Sequence, residues 1–533
     1  MSWIKHHRTN EMNGHHTNGN GTTLTPTNGH TTTNNNCTES NWNLGIWSVG
    51  VINAKNKRYL TAETFGYKIN ANGTSLKKKQ TWRLEPAGAD GICLKSHLDR
   101  YLAVDQYGNV TCDQEEKEHG AFFEVVASGK EGTWTLRNTS RGYYLGAESD
   151  KLICTSKIAS TLGEKWFIHL AARPQVTLKS VGRKRYAHLA ENEEEIHVDS
   201  NVPWGADTLF TLEFRFGDSC FYALHTCNNK YLRSDGKLQD ACDPSCLFSI
   251  EYHHGQMALR DSSGLYLAPI GSKAVLKTRS HTVTKDELFV LEDSVPQGAF
   301  VAKLNGRYVS TKQGVDVTAN QDEISSFETF QLEFEPKSKK WYVRTMQDKY
   351  WTVVEATGGI QAGGDKRTTS SLFTLKWSPG GTLYFMGCNG KYVGAKRSGH
   401  LYANVESPEE DESAQFHFYL INRPILVLKC EQGYVGYKSN GLFRLECNKA
   451  SYETIGVERK ESGVVHFKGQ KGKYWSLAGD EIAADSDTPT DFYIELKEPN
   501  RICIKTGNGL YLNAEKNGMF KVGASSEPTL WEF

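Results

Sequence analysis

The sequence has no excess of charge of either sign: 62 Lys and Arg are matched by 62 Asp and Glu over 533 residues. A neutral chain is not drawn as a whole onto nucleic acid or an anionic membrane, so any electrostatic partner has to be met by a local patch. Long hydrophobic runs are missing too. The apolar stretches, Pro424 to Leu428 among them, fall far short of the roughly 18 residues of a membrane helix, and the amino terminus has no signal-peptide core. The expectation is a cytoplasmic chain with no membrane insertion and no nucleic-acid partner. Cysteine is sparse, 12 in all, which excludes a disulfide scaffold and predicts free thiols. Cys242 and Cys246, with Cys220, Cys227 and His225 upstream, are the tightest group, but small buried hydrophobes such as Cys93, Cys154 and Cys503 are the better precedent, so no metal is expected. Asn72, Asn109 and Asn138 head glycosylation triplets that a cytosolic chain leaves unused.

Catalytic signatures are absent as well: there is no nucleophile elbow, phosphate-binding loop, His-Glu-x-x-His pair or dinucleotide fingerprint. His188 and His225 lie in strand-like segments without an evident partner, and the acidic runs Glu193 to Glu195 and Glu409 to Glu412 lack the alternation of a calcium loop. The reading is a protein that is not an enzyme and needs no cofactor.

What is present is a repeat. Residues 1-43 are rich in Asn, Thr, Gly and His and too poor in apolar residues to offset their ordering entropy, which predicts a disordered tail. From Gly45 onward short alternating strands are punctuated by Gly, Asn and Asp turns, and a tag of Tyr followed by an apolar residue recurs at Tyr59, Tyr101, Tyr144, Tyr186, Tyr231, Tyr266, Tyr308, Tyr350, Tyr392, Tyr434, Tyr474 and Tyr511. The spacings run from 35 to 45 residues. An aromatic strand residue, often near an acid, follows most tags, from Trp82 and Phe123 through Phe167 to Phe492 and Trp531; the tenth unit offers only Ile455. Both the tag tyrosine and its apolar follower are assigned to the barrel core.

A strand-rich repeat near 40 residues fits either a propeller blade or one third of a β-trefoil. Grouping decides between them. Every third tag has a glycine two residues earlier (Gly142, Gly264, Gly390, Gly509), the tag before it is preceded by a basic residue (Arg100, Lys230, Lys349, Lys473), and Pro174, Pro296 and Pro424 mark the starts of new triplets. The expected fold is all-β, four tandem β-trefoils at 44-172, 173-294, 295-421 and 422-533, preceded by the tail.

Three basic clusters concentrate positive potential on this neutral body: Lys77 to Lys79, Arg183 to Arg185, and Lys337 with Lys339 and Lys340. Ser75 stands two residues before the first, in a turn-like segment that a basophilic protein kinase can read, and a phosphate there adds about −1.5 to −2 charge beside three lysines.

The stretch Tyr59-Leu60-Thr61-Ala62-Glu63, then Lys68 and Ser75-Leu76-Lys77-Lys78-Lys79-Gln80, closely resembles the first domain of the fascin family. The similarity continues through Arg183-Lys184-Arg185-Tyr186-Ala187-His188-Leu189, Lys285-Asp286-Glu287-Leu288-Phe289, Ala319-Asn320-Gln321-Asp322-Glu323, Ile421-Asn422-Arg423-Pro424-Ile425 and Leu530-Trp531-Glu532-Phe533. The resemblance is to an invertebrate form with an extended amino-terminal tail. It implies four trefoils in two lobes, working as a monomer that packs filamentous actin into parallel bundles in filopodia and similar protrusions. It also implies an actin site in the cleft between the first and fourth trefoils. Lys77 and Lys79 match actin-contacting lysines, Arg423, Lys429 and Glu431 occupy matching fourth-domain positions, and Ser75 matches a regulatory phosphoserine. Arg58 and Arg183, Lys184 and Arg185 are candidates for a further actin surface, and Ser310 matches a second phosphorylation site. Where the family carries a lysine after the last tag, this chain has Asn513. The rival reading is a glycan- or heparin-binding trefoil, whose sugar pockets repeat a Gln-x-Trp motif; Gln80-Thr81-Trp82 is the lone instance here.

Overall fold

The computed structural model describes residues 45–88, 91–171, 174–439 and 443–533, so the predicted tail at 1-43 lies outside the described residues. Among the described residues the regular structure is β-strand and short 3₁₀ turns, with no α-helix. Three twelve-stranded sheets and one of ten strands follow one another along the chain, and a separate two-stranded hairpin, Tyr434–Tyr437 with Leu445–Lys449, completes the set. Pairing is antiparallel throughout. In each of the first three units the first strand returns to pair with the last: Trp47–Asn53 with Lys165–Leu170, Gln175–Ser180 with Phe289–Asp293, and Gln297–Ala302 with Phe416–Leu420. The fourth closes through Lys429 and Glu532. Closure removes the exposed edges of an open sheet, and a six-stranded barrel capped by three hairpins is the β-trefoil solution.

The repeat is readable in the register. At ten of the twelve tags the ladder shifts directly after the tyrosine, as at Tyr144, Tyr186, Tyr266 and Tyr474. A bulge there twists the strand and turns the next residue fully inward. Leu60, Leu102, Leu145, Leu267, Val309 and Trp351 accordingly have no exposure at all. The tyrosines themselves do not join that core, contrary to the expectation from pattern. Six of them donate their hydroxyls to glutamates on the outer side of the barrel: Tyr101 to Glu85 (3.0 Å), Tyr186 to Glu292, Tyr231 to Glu213, Tyr266 to Glu251, Tyr350 to Glu333 and Tyr474 to Glu458. Each of these glutamates stands three residues after the core position of its strand, at Trp82, Phe289, Phe210, Phe248, Phe330 and Ile455, and an odd spacing puts it on the opposite face. The tenth unit therefore obeys the rule with Ile455, buried at 2 %. In the third unit the barrel-floor residue is Trp166 rather than Phe167: its indole donates to Leu145 O at 2.9 Å, as Trp82 does to Leu60 O and Trp531 to Leu512 O.

Two continuous apolar cores run through pairs of trefoils, the first with the second and the third with the fourth. In the first pair Trp47 Nε1 donates to Gly255 O, Trp134 Nε1 to Ile250 O, and Tyr222 OH to Ile168 O at 3.0 Å. Gly132 sits at φ +66 with Cys220 O so near that a Cβ would lie 1.8 Å from it, so this contact requires glycine twice over. The two pairs are joined by Gln175 Nε2 to Ile425 O (2.7 Å), by Gln297 Nε2 to Pro203 O (2.9 Å), and by Tyr452 OH to Leu212 O.

Candidate functional site

All four trefoils line one central cleft with a volume of about 2680 Å³. Tyr59, Ser75 and His169 come from the first, Phe214 from the second, Tyr308 from the third, and Tyr434, Tyr452 and Arg459 from the fourth. Tyr59 OH lies 2.9 Å from His169 Nδ1, and the imidazole stacks flat on Phe214 with ring centres 4.0 Å apart. Burial, together with the nearby Lys429 charge, pushes His169 down to about 3, so it is neutral at any physiological pH. That Lys429 acts on His169 shows how closely the fourth trefoil approaches the first. Lys429 is half-buried with its ammonium 5.5 Å from the Tyr434 ring centre, and Glu431 is exposed beside it.

On the first trefoil's rim, strand Ile69–Gly73 ends in a turn that places Thr74 and Ser75 on the cleft wall and hands over to the 3₁₀ turn Lys78–Gln80. Gln80 is the buried anchor, donating to Thr61 Oγ1 at 3.1 Å, while Thr81 Oγ1 donates to Lys77 O. Lys77 and Lys78 are exposed; Lys79 pairs with Glu63 at 2.8 Å and leaves 45 % of its side chain open. The Lys79 hydrogen bond, helped by Asn70, holds the Glu63 carboxyl below its usual range. His97 is pushed down by its burial and by Lys78 and Lys79, a local sign of the cluster's positive potential. Ser75 is half-buried two residues from the cluster.

Arg423 is placed differently from the sequence expectation. It is 3 % exposed, its guanidinium donating to Ser294 Oγ (2.9 Å), Ser294 O (2.8 Å) and Asn422 O, with Phe533 against its face. Closed into the junction after the second trefoil, this guanidinium is shut off from an external partner. Ser310 is corrected in the same way: it has no exposure and donates to Glu328 Oε1 at 2.6 Å, so a kinase has no access to it in the folded chain. Arg58, Arg183, Lys184 and Arg185 are exposed, although Arg183 also braces the Pro269 and Gly271 carbonyls. Asn513 is occupied internally, accepting from Thr529 N and donating to Tyr511 O.

The histidines read as partnerless do have partners. His188 Nε2 lies 2.5 Å from Asp199 Oδ1, and His225, 1 % exposed, bonds Asn229 and stacks on Tyr231. Among the described residues no group of three or more His, Cys, Asp or Glu is arranged to hold a metal. Trp82 of the lone Gln-x-Trp is fully buried, leaving no aromatic platform for a sugar there. His169, Phe214, Tyr452 and Arg459 carried no sequence signal, because each is brought to the cleft only by packing between trefoils.

A family profile described as Fascin domain matches residues 56–168, 176–291 and 304–418. Fascin-2 of Bos taurus is 38 % identical over 483 residues, covering 89 % of this chain and 96 % of the relative. The chain belongs to the fascin family. Fascin of Strongylocentrotus purpuratus is 36 % identical over 507 residues, 91 % of this chain and 99 % of its own length. Fascin-3 of Mus musculus is more distant, at 27 % over 483 residues. Solved structures that align include a mosquitocidal holotoxin (10 % identity, TM-score 0.23, 91 % of this chain and 68 % of that one) and SeviL bound to asialo-GM1 saccharide (15 %, TM-score 0.22, 24 % and 99 %). At such scores the likeness has no bearing on what this fascin does. Its fourth trefoil, which follows the last matched segment, closes through its own terminal strand Trp531–Glu532, paired with Arg501 and Ile502.

Proposed function

We propose that this chain cross-links filamentous actin into parallel bundles, without catalysis, as a cytoplasmic monomer of cell protrusions. The observation that carries the reading is family membership over nine tenths of the chain, joined to exposed basic clusters on different trefoils of one packed body. Bundling needs at least two filament sites held at fixed separation, and trefoils that share cores in pairs and hydrogen bonds between pairs supply that rigidity. Lys77 and Lys79 form one site at the cleft rim with Lys429 and Glu431; Arg58 and Arg183 to Arg185 serve a second. The domain limits 44-172, 173-294, 295-421 and 422-533 are proposed as the units that carry them. Actin is acidic, so local basic patches on a neutral body steer binding without general polyanion adsorption.

Ser75 is the proposed regulatory position, phosphorylated by a basophilic kinase. A phosphate of about −1.5 to −2 charge beside Lys77 to Lys79 offsets at least half their charge and occupies the same ammonium donors. Low-speed sedimentation with electron microscopy tests the bundling claim. Filaments that pellet only at high speed show decoration without cross-linking and overturn it. Bundling is expected to weaken between about 50 and about 300 mM salt, where exposed charges are progressively screened.

A further inference from the structure

The fourth trefoil holds two thiols side by side. Cys430 Sγ donates to Cys447 O at 3.3 Å, so its thiol lies against the backbone of the second cysteine, and Cys447 Sγ donates to Gly518 O at 3.3 Å. They are not equivalent. Cys447 has no exposure, whereas Cys430 reaches the surface at 8 % on the tight turn before Gly433. Cys430 Sγ also lies 3.2 Å from Gln432 Oε1, and the Gly433 N–H donates to the Cys430 carbonyl at 3.2 Å, which closes the turn beneath the thiol. The Cys430 thiol is held below its usual range, chiefly by its interaction with Cys447, while Cys447 is pushed up by the same interaction and by burial.

Their position in the fold gives the pair leverage. Cys447 lies on strand Leu445–Lys449, the return arm of the two-stranded hairpin that stands apart from the ten-stranded sheet, and Cys430 lies just before its outgoing arm. Tyr434 at the start of that arm lines the central cleft, and Lys429 and Glu431 flank Cys430 directly.

We propose that Cys430 and Cys447 are a redox modification site, oxidised by hydrogen peroxide to a disulfide that ties this hairpin to its base. The Cys430 thiolate attacks one peroxide oxygen; the O–O bond breaks, the departing hydroxide is protonated to water, and Cys430 becomes a sulfenic acid. Cys447 sulfur then attacks the Cys430 sulfur. The S–S bond forms, the S–O bond breaks, and the leaving hydroxide takes the Cys447 proton as a second water. Two thiols lose two electrons, and one peroxide is reduced to two waters. The site is independent of the filament reading.

The test uses the full chain with the exposed Cys388 changed to Ser, treated with hydrogen peroxide, alkylated and mapped by mass spectrometry. The expected result is a mass loss of about 2 Da with a Cys430–Cys447 linked peptide, and a higher unfolding midpoint that falls back on reduction. In Cys447→Val, Cys430 is expected to stop at a sulfenic acid that a 1,3-dione traps; Cys430→Ser is expected to give neither product. Oxidation that leaves both thiols alkylatable, or that links either to another cysteine, overturns the proposal. Because that peptide map needs neither variant of the pair, it decides even if Cys447→Val fails to fold.

Discussion

The two rims of the central cleft are built on opposite plans. On the first trefoil the charges stand on a turn, anchored from beneath by Gln80 and open to solvent at Lys77 and Lys78. On the fourth the leading cation, Arg423, is driven inward and spent on Ser294 and Asn422, while Arg459 is enclosed near Tyr308 and Tyr419 with its NH1 buried and lacking a hydrogen-bond acceptor among the described residues. The contrast teaches that one residue type marks a surface on one rim and a joint on the other. The first trefoil presents its lysines to solvent, and the fourth closes Arg423 into a joint.

The sharpest way to break this contrast is Arg423→Ala. Removing the guanidinium leaves Ser294 O and Asn422 O without their donor in a dry junction, and the expected loss is about 3 kcal/mol in urea unfolding. An unchanged midpoint would make the fourth rim a surface like the first. Acid provides the next largest effect, through the wall where the rims meet. His169 is depressed to about 3 in the folded chain and regains its ordinary value of about 6.5 on unfolding. Between those values the unfolded state binds the extra proton, so stability is complete above about pH 6.5 and falls by up to about 1.4 kcal/mol per pH unit below it. At pH 5 this one group accounts for about 2 kcal/mol, and His169→Gln is expected to flatten that part of a pH series of unfolding midpoints.

Arg459→Met sharpens the comparison from within the fourth trefoil. Burial lowers the Arg459 pKa, the mark of a charge without full compensation, and a well-packed apolar replacement is expected to raise stability by about 1 kcal/mol. A loss instead would show that the guanidinium has structural work equal to that of Arg423. The smallest stability effect belongs to Lys77→Ala with Lys79→Ala. The Lys79–Glu63 pair leaves 45 % and 32 % of its two side chains open to screening water, so the change in midpoint is expected to stay below about 1 kcal/mol, while the low-speed actin pellet is largely lost. Ser75→Ala is expected to bundle normally and Ser75→Glu less, with one charge in place of a phosphate's two; equal pellets from all these forms would sink the role of this rim.

Which of these plans a cation follows was not legible from its neighbours in the chain. Arg423 and Lys77 both sit beside turn or junction residues, and Ser310 and Ser75 both stand within tagged units. Only the packing of one barrel on another buries Arg423 and leaves Lys77 open. Ser310 fails as an accessible serine for a nearer reason, the Glu328 that reaches it from eighteen residues away. The tag tyrosines show the same limit on a smaller scale. Alternation marks which residues share a face, but at ten of the tags a bulge sends the follower inward, and six of the tag tyrosines turn to a glutamate, as Tyr101 and Tyr266 do.

By itself the sequence determined the all-β class, the period near 40 residues, the grouping by threes and the burial of the apolar residue after each tag, with Ile455 in the unit that lacks an aromatic. These follow from local rules: strand alternation has period two, and turns need glycine, asparagine or proline wherever they occur. The tertiary structure decided the cleft, the neutral His169, the buried Arg423 and the paired Cys430 and Cys447. Each depends on which surfaces meet between distant segments, and the desolvation of a charge or thiol is set by everything packed around it, not by the residues beside it in the chain.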